Sequence, residues 1–284
     1  MSVAIVRSLS TLRSVVTRWK RAGETVAVVP TMGALHAGHL SLVRTGRKLA
    51  DRLVVTLFVN PKQFNNPDDL ANYPRTENDD AVKLGPLGVD VLYAPDATTM
   101  YPEGFATTVS VTGVSEGLCG AHRPGHFDGV ATVVTKLLMQ TGADIALFGE
   151  KDFQQLHVIR RLVRDLDIPV EIRTCPTVRE PDGLALSSRN ARLTDEQRKT
   201  ANALAQILYA SANRLTAGEE TSAVLPGARA ALLKAGFASV EYLELRAEND
   251  LRPLERADVL SRLLAAVWLN DVRLIDNMPV QPST

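Results

Sequence analysis

The sequence predicts an α/β protein: a parallel sheet flanked by helices, followed by a smaller α+β domain. Three observations carry this. Short continuous runs of Val, Ile and Leu, the mark of strands buried on both faces, alternate with helical patterns up to Thr177. Chemically useful residues cluster just after the ends of those runs, where ligands lie in parallel sheets. Beyond Thr177 the alternation stops, and two helical stretches precede a group of strand-like runs.

In chain order, Leu12, Val15, Val16 and Trp19 fall at i, i+3, i+4 and i+7 and predict an amphipathic helix. The first 22 residues hold five basic groups and no acid, as an organellar presequence would, but the apolar stripe favours a structural helix. Val26–Pro30 reads as a strand, and a helix opens near His36. Strand Leu53–Asn60, helix Glu77–Leu84, strand Val89–Ala94, a helix from about Gly129 to Gln140, strand Ile145–Phe148, helix Phe153–Leu166 and strand Pro169–Thr177 complete the alternation. The expected boundary divides residues 1–177 from 178–284. Glu180-Pro-Asp-Gly183 signals a turn. Thr194 and Gln197 form a capping-box pattern, opening a helix along Ala201, Leu204, Leu208 and Leu215. A second helical stretch is expected to break at Pro226-Gly227. Val240–Leu245, Leu263–Leu269 and Val272–Ile275 read as strands, and Gln281–Thr284 as a loose tail.

The composition excludes several classes of function. Of 284 residues, 45% are hydrophobic and 23% charged, which argues for an ordinary globular protein rather than disorder. Lys plus Arg balances Asp plus Glu at 32 each, so no bulk charge favours a nucleic acid or a membrane surface. Cys119 and Cys175 lie far apart in no metal-like spacing, which fits a reducing compartment. No apolar run approaches the ~18 residues of a membrane span. A cytoplasmic location is the expectation.

The densest chemistry lies in the stretch Thr25 to Leu40, where an apolar run breaks at Pro30 and Gly33 and reopens as a helix carrying His36 and His39. A helix start offers free backbone N–H groups and positive dipole character, so phosphate is the leading ligand. Two other readings stay open for the pair alone: metal ligands, which would need further partners, or ordinary surface histidines. Gly149-Glu-Lys-Asp152 presents Lys151 at another strand end, with Asp152 also suited to a helix N-cap. Leu186-Ser-Ser-Arg189 offers hydroxyls and a guanidinium that suit a phosphate chain, or forms a plain polar loop. Asn60-Pro-Lys-Gln-Phe64 places amides after a strand, suited to a neutral hydroxyl or a carboxylate.

Taken together, Pro30-Thr-Met-Gly-Ala-Leu-His-Ala-Gly-His39, Phe58-Val-Asn-Pro-Lys-Gln-Phe64, Tyr73-Pro-Arg-Thr76, Arg123-Pro-Gly-His-Phe127, Phe148-Gly-Glu-Lys-Asp-Phe-Gln-Gln155 and Asp182-Gly-Leu-Ala-Leu-Ser-Ser-Arg-Asn190 resemble the pantothenate synthetase family in order and spacing. Ala266 to Trp268 and Arg273-Leu-Ile-Asp-Asn277 also match. The resemblance implies a Rossmann-like nucleotidyltransferase fold with an H-x-G-H signature, use of Mg²⁺, and a homodimer. It implies ATP-dependent condensation of (R)-pantoate with β-alanine to pantothenate, AMP and pyrophosphate through a pantoyl adenylate. It carries ATP binding onto Met32, Gly33, Ala34, Leu35, His36, Ala37, Gly38, His39, Gly149, Glu150, Lys151, Asp152, Val178, Leu186, Ser187, Ser188 and Arg189. Pantoate binding falls on Gln63 and Gln155, and a weak metal assignment on Asp79 and Asp80. His36, His39, Lys151, Ser187, Ser188 and Arg189 would neutralise charge on the reacting phosphates. His39 is the family's nominal proton donor; its contribution is read here as stabilising phosphate charge. Leu186 stands where many relatives have Met, a near volume-conserving change.

Two rival functions make different demands. A nucleotidyltransferase that stops at an AMP adduct of a phosphorylated substrate would want a second cationic site, whereas Gln63 and Gln155 are neutral amides suited to a small hydroxy acid. A non-catalytic nucleotide sensor would have little use for Lys151, two histidines and a separate Ser-Ser-Arg loop together.

Overall fold

The computed structural model describes residues 3–282. Ser8 opens helix α1 (Leu9–Arg21) by accepting the amide of Thr11, and the helix buries Leu12, Val16 and Trp19 from the expected stripe, with Val15 half-buried. Six strands form one parallel sheet: β1 (Ala4–Val6), β2 (Val26–Thr31), β3 (Arg52–Leu57), β4 (Val91–Tyr93), β5 (Ile145–Gly149) and β6 (Glu171–Cys175). Their spatial order is β1-β4-β3-β2-β5-β6. Val26 to Val29 and Leu53 to Val55 are wholly buried, as the apolar runs require of central strands covered on both faces. The alternation of strands and helices thus yields the expected Rossmann-like sheet. The three-residue edge strand β1 was not foreseen, being too short to show any periodicity.

Helix α2 (Ala37–Leu49) returns the chain from β2 to β3. Short helices α3 (Pro67–Ala71) and α4 (Glu77–Leu84) lie between β3 and β4, and α5 (Ala97–Met100) and α6 (Leu118–His122) precede α7 (His126–Thr141). Helix α8 (Phe153–Asp165) joins β5 to β6. Strand order reverses its direction between β2 and β5, so the carboxyl ends of these two strands mark the switch point at which open α/β sheets bind ligands.

A second sheet is antiparallel and holds β7 (Ser239–Ala247), β8 (Ser261–Leu269) and β9 (Val272–Val280) in that order. Against it pack α9 (Asp195–Thr216), whose Thr194 and Gln197 form the expected capping box, and α10 (Thr221–Ala235). The expected break at Pro226 does not occur: α10 runs through it. Pro226 and Gly227 sit on the exposed side, while Val224, Ala228 and Leu232 are buried in the core of this sheet. The lost amide bond therefore falls where water can serve the freed carbonyl, and apolar packing holds the helix on either side. Strand β9 runs five residues past the expected Ile275.

The chain divides into two compact units. One runs through Glu150 and resumes at Gln155–Pro176; the other takes Lys151–Gln154 and everything from Thr177. Of the expected tail, Gln281 and Pro282 have no regular structure, and Ser283 and Thr284 lie outside the described residues. Among the described residues no helix is long and apolar enough to cross a membrane.

Candidate active site

In the first unit the turn after β2 is built around an internal anion. Thr31 Oγ1 donates to the Thr56 carbonyl at 2.6 Å and accepts the Gly33 amide at 3.2 Å. Gly33 (φ 85°) and Ala34 (φ 51°) are both left-handed, which turns successive amides toward one point. That point holds the Asp80 carboxylate. Its Oδ2 accepts the Ala34 amide at 2.9 Å and the Thr76 hydroxyl at 3.1 Å, and its Oδ1 accepts the Leu35 amide at 2.8 Å. Lys83, one turn along α4, donates to the Leu35 carbonyl at 2.8 Å.

Helix α2 then begins with an imidazole cap. His36 is the N-cap residue, and its Nδ1 accepts the Gly38 amide at 3.2 Å. The two histidines close a reciprocal capping box, with His39 Nδ1 3.5 Å from the His36 amide and the rings 4.1 Å apart. This corrects the expectation of bare amides at the helix start: the imidazoles occupy the His36, Gly38 and His39 N–H groups. Because each Nδ1 accepts, each neutral ring carries its proton on Nε2.

At the end of β3, Asn60 accepts the Lys62 amide at 3.3 Å and the Tyr101 hydroxyl at 2.7 Å through Oδ1. Its Nδ2 donates to the Gly129 carbonyl at 3.0 Å and to Gln63 Oε1 at 2.9 Å. Gln63 in turn points Nε2 at Met32 Sδ, 3.1 Å away. Met32 and Gln63, expected to serve different substrates, are therefore neighbours. Burial pushes the Tyr101 phenol up to about 12. Gln155 is half-buried on α8, and Gly149 and Glu150 lie at the end of β5.

The weak metal assignment fails for Asp80. Asp80 is fully buried with both oxygens on backbone amides, while Asp79, its neighbour on α4, faces out. Among the described residues no three His, Cys, Asp or Glu side chains converge on a point that could hold a cation. Asp80, with both oxygens engaged, has no face to offer Mg²⁺.

The second unit holds the remaining expected residues. Lys151 has its carbonyl bonded by Asn277 Nδ2 at 3.0 Å, and its ammonium lies 3.9 Å from Asp152. Val178 and Leu186 meet across a small hairpin: the Leu186 amide donates to the Val178 carbonyl at 3.0 Å, and Glu180 and Gly183 close the expected turn. Ser187 caps a short 3-10 turn over Ser188–Arg192 by accepting the Arg189 amide at 3.2 Å. Arg179 anchors the hairpin, bonding Asp276 through two nitrogens at 2.7 and 2.8 Å and the Gly183 carbonyl at 3.0 Å.

The model for pantoate-beta-alanine ligases matches residues 4–279. The chain belongs to the pantoate-beta-alanine ligase family. It is 66% identical to the pantothenate synthetase of Chelativorans sp. (strain BNC1) with all of both chains covered, and 58% identical to that of Ruegeria pomeroyi over 99% of this chain and 98% of the relative. The crystal structure of the Thermus thermophilus pantoate-beta-alanine ligase superposes with a TM-score of 0.93 at 44% identity, covering 99% of this chain and all of the other. That of the Francisella tularensis ligase, complexed with beta-gamma ATP and beta-alanine, gives 0.85 at 34% identity and 98% of each chain.

For a pantoate-beta-alanine ligase, the residues that sequence reasoning missed are the ones that hold the expected side chains in place. Tyr101, Arg179 and the clasp formed by Asp80 lie 41, 97 and 46 positions from a partner they bond, so no local pattern marks them. Asn277 had a signal in the Arg273-Leu-Ile-Asp-Asn277 block, but nothing there tied it to Lys151.

Proposed function

We infer that the chain condenses (R)-pantoate with β-alanine at the expense of ATP, forming pantothenate, AMP and pyrophosphate through a pantoyl adenylate. The observation that supports this best is the α2 start at the switch point of the sheet, where His36 and His39 cap the helix through Nδ1, which puts the proton of each neutral ring on Nε2. A pantoate carboxylate oxygen attacks the α-phosphorus, the bond to the bridging oxygen of the β-phosphate breaks, and pyrophosphate leaves. The amine of β-alanine then attacks the acyl carbon, the C–O bond to AMP breaks, and the nitrogen gives up a proton. Neither step needs a covalent nucleophile from the protein, so positioning and charge neutralisation supply the catalysis. We assign that task to His36, His39, Lys151, Ser187, Ser188 and Arg189. Met32 to His39, Gly149 to Asp152, Val178 and Leu186 to Arg189 form the ATP site in this reading. Gln63 and Gln155 hold pantoate. Mg²⁺ enters as part of the MgATP substrate. Residues 1–177 serve as the nucleotide- and pantoate-binding domain and 178–284 as its cap, in a cytoplasmic homodimer.

Product analysis with ATP, Mg²⁺ and (R)-pantoate, with and without β-alanine, tests the reading. The expected result is pantothenate with AMP and pyrophosphate only when all components are present. ADP and phosphate would mean an acyl phosphate and overturn the assignments on the α-phosphate, and bound ATP without turnover would favour a sensor.

A further inference from the structure

The Arg123-Pro-Gly-His-Phe127 block has no part in the chemistry described so far. In the first unit this block and the α7 turn that follows it meet the Asn60–Gln63 turn at three points. His126, only 6% exposed, has Nδ1 2.8 Å from the Gln63 carbonyl. Arg123 donates to the same carbonyl at 3.2 Å, and its other nitrogen lies 3.0 Å from His126 Nε2. One turn along α7, Gly129 accepts from Asn60 and packs so closely on the turn that a Cβ there would overlap the Lys62 carbonyl and stand 2.8 Å from Gln63 Cα.

The chemistry of the partners fixes every proton in this cluster. A carbonyl only accepts, so His126 Nδ1 carries hydrogen; a guanidinium only donates, so Nε2 is a lone pair. The same logic runs through Asn60. The Lys62 amide can only donate to it and the Gly129 carbonyl can only accept from it, so its second N–H must go to Gln63 Oε1. This fixes the Gln63 amide with its oxygen toward Asn60 and its NH₂ on the other side, where one hydrogen points at Met32 Sδ and the second is left to a substrate.

We propose that Arg123 and His126 are positioning residues that clamp the Gln63 backbone so that Asn60 can set the polarity of the Gln63 amide, making this subsite a donor that selects an acceptor group of the acid substrate. The inference rests on the reading that Gln63 contacts pantoate. Loss of one clamp bond frees the turn and removes the bias on the amide. His126→Ala and Arg123→Met should each raise the KM for pantoate about tenfold, a loss of the size of one hydrogen bond, with the KM for ATP unchanged. His126→Asn, whose Nδ2 keeps a donor near the position of Nδ1, should recover most of that loss.

The decisive measurement is a double-mutant cycle on the KM for pantoate with Gln63→Ala. If the clamp acts through Gln63, Arg123→Met and His126→Ala add less than about twofold in the Gln63→Ala background. Full additivity, or a pantoate KM that neither clamp variant changes while Gln63→Ala does, overturns the clamp. A Gln63→Ala enzyme with an unchanged pantoate KM instead overturns the reading beneath it. Should His126→Ala not fold, Arg123→Met and His126→Asn carry the same cycle.

Discussion

Asp80→Asn separates two roles open to one carboxylate, a structural clasp and a metal ligand. The side chain is fully buried and accepts the amides of Ala34 and Leu35 at 2.9 and 2.8 Å and the Thr76 hydroxyl at 3.1 Å. Asparagine keeps one oxygen and turns an NH₂ toward whichever amide faced the other. One charge-assisted bond, valued at about 1.5–3 kcal/mol, is lost outright, and a buried amide is left unsatisfied at a cost in the same range. The remaining two bonds weaken as the charge goes. These terms overlap, so the expected loss is about 3 kcal/mol. Urea unfolding in a Trp268→Phe background reads this cleanly, because Trp19 is then the only tryptophan and belongs to the same unit as the turn. Asp79→Asn, an exposed change beside it, should stay within about 0.5 kcal/mol. An Asp80→Asn protein of unchanged stability that demands far more Mg²⁺ for turnover would refute the clasp and restore the carboxylate as a metal ligand.

Three further outcomes are expected. His39→Ala and Lys151→Ala should each leave a folded protein whose pyrophosphate release is slowed about 10²–10³-fold, and near-normal release in either variant would remove that residue from the mechanism. Burial holds the Tyr101 phenol up to about 12, against about 10 for an ordinary tyrosine. Its contribution to stability is therefore whole below about pH 10 and is lost as the pH climbs through 12, because the unfolded chain ionises first. Burial raises the Tyr93 phenol as well, so ultraviolet titration should show late phenolate absorbance that Tyr101→Phe reduces by one tyrosine; an undiminished late step in that variant would assign it elsewhere. Arg179→Met strips the partner from Asp276, whose side chain is 1% exposed, and should destabilise the second unit by about 3 kcal/mol in a denaturant titration followed through Trp268. A loss under about 1 kcal/mol would mean that water relieves the carboxylate.

What the sequence made legible follows from how far apart the deciding residues lie. Strands β2, β3 and β5 are continuous apolar runs, and His36, Lys151 and Ser187 follow strands or turns whose signals are local. The capping box at Thr194 was readable because both of its partners lie within one turn. Asp80 was not, since Glu77-Asn-Asp-Asp80 looks like any acidic helix start, and only the approach of a turn 46 residues earlier gives it a task. Pro226 misled for a related reason: local propensity breaks a helix there, and the buried side of α10, visible only once the second sheet exists, keeps it whole. The Arg123 block was recognisable as a string, yet its contact with Gln63 spans 60 positions and leaves no trace in either segment alone.

The turn and helix start after β2 look at first like a backbone anion site, but the protein fills it with its own groups. The Ala34 and Leu35 amides hold Asp80, and those of His36, Gly38 and His39 hold imidazole nitrogens. Where backbone amides cradle a phosphate, side-chain mutations leave much of the site intact. These five backbone donors are already engaged, so in the proposed mechanism the charge on a reacting phosphate falls to side chains: His36, His39, Lys151, Ser187, Ser188 and Arg189. Two successive left-handed residues and a buried carboxylate fix the path of the chain, and the imidazoles borrow that rigidity through their Nδ1 atoms. In the proposed mechanism the tautomer that caps the helix is also the one that meets the phosphate.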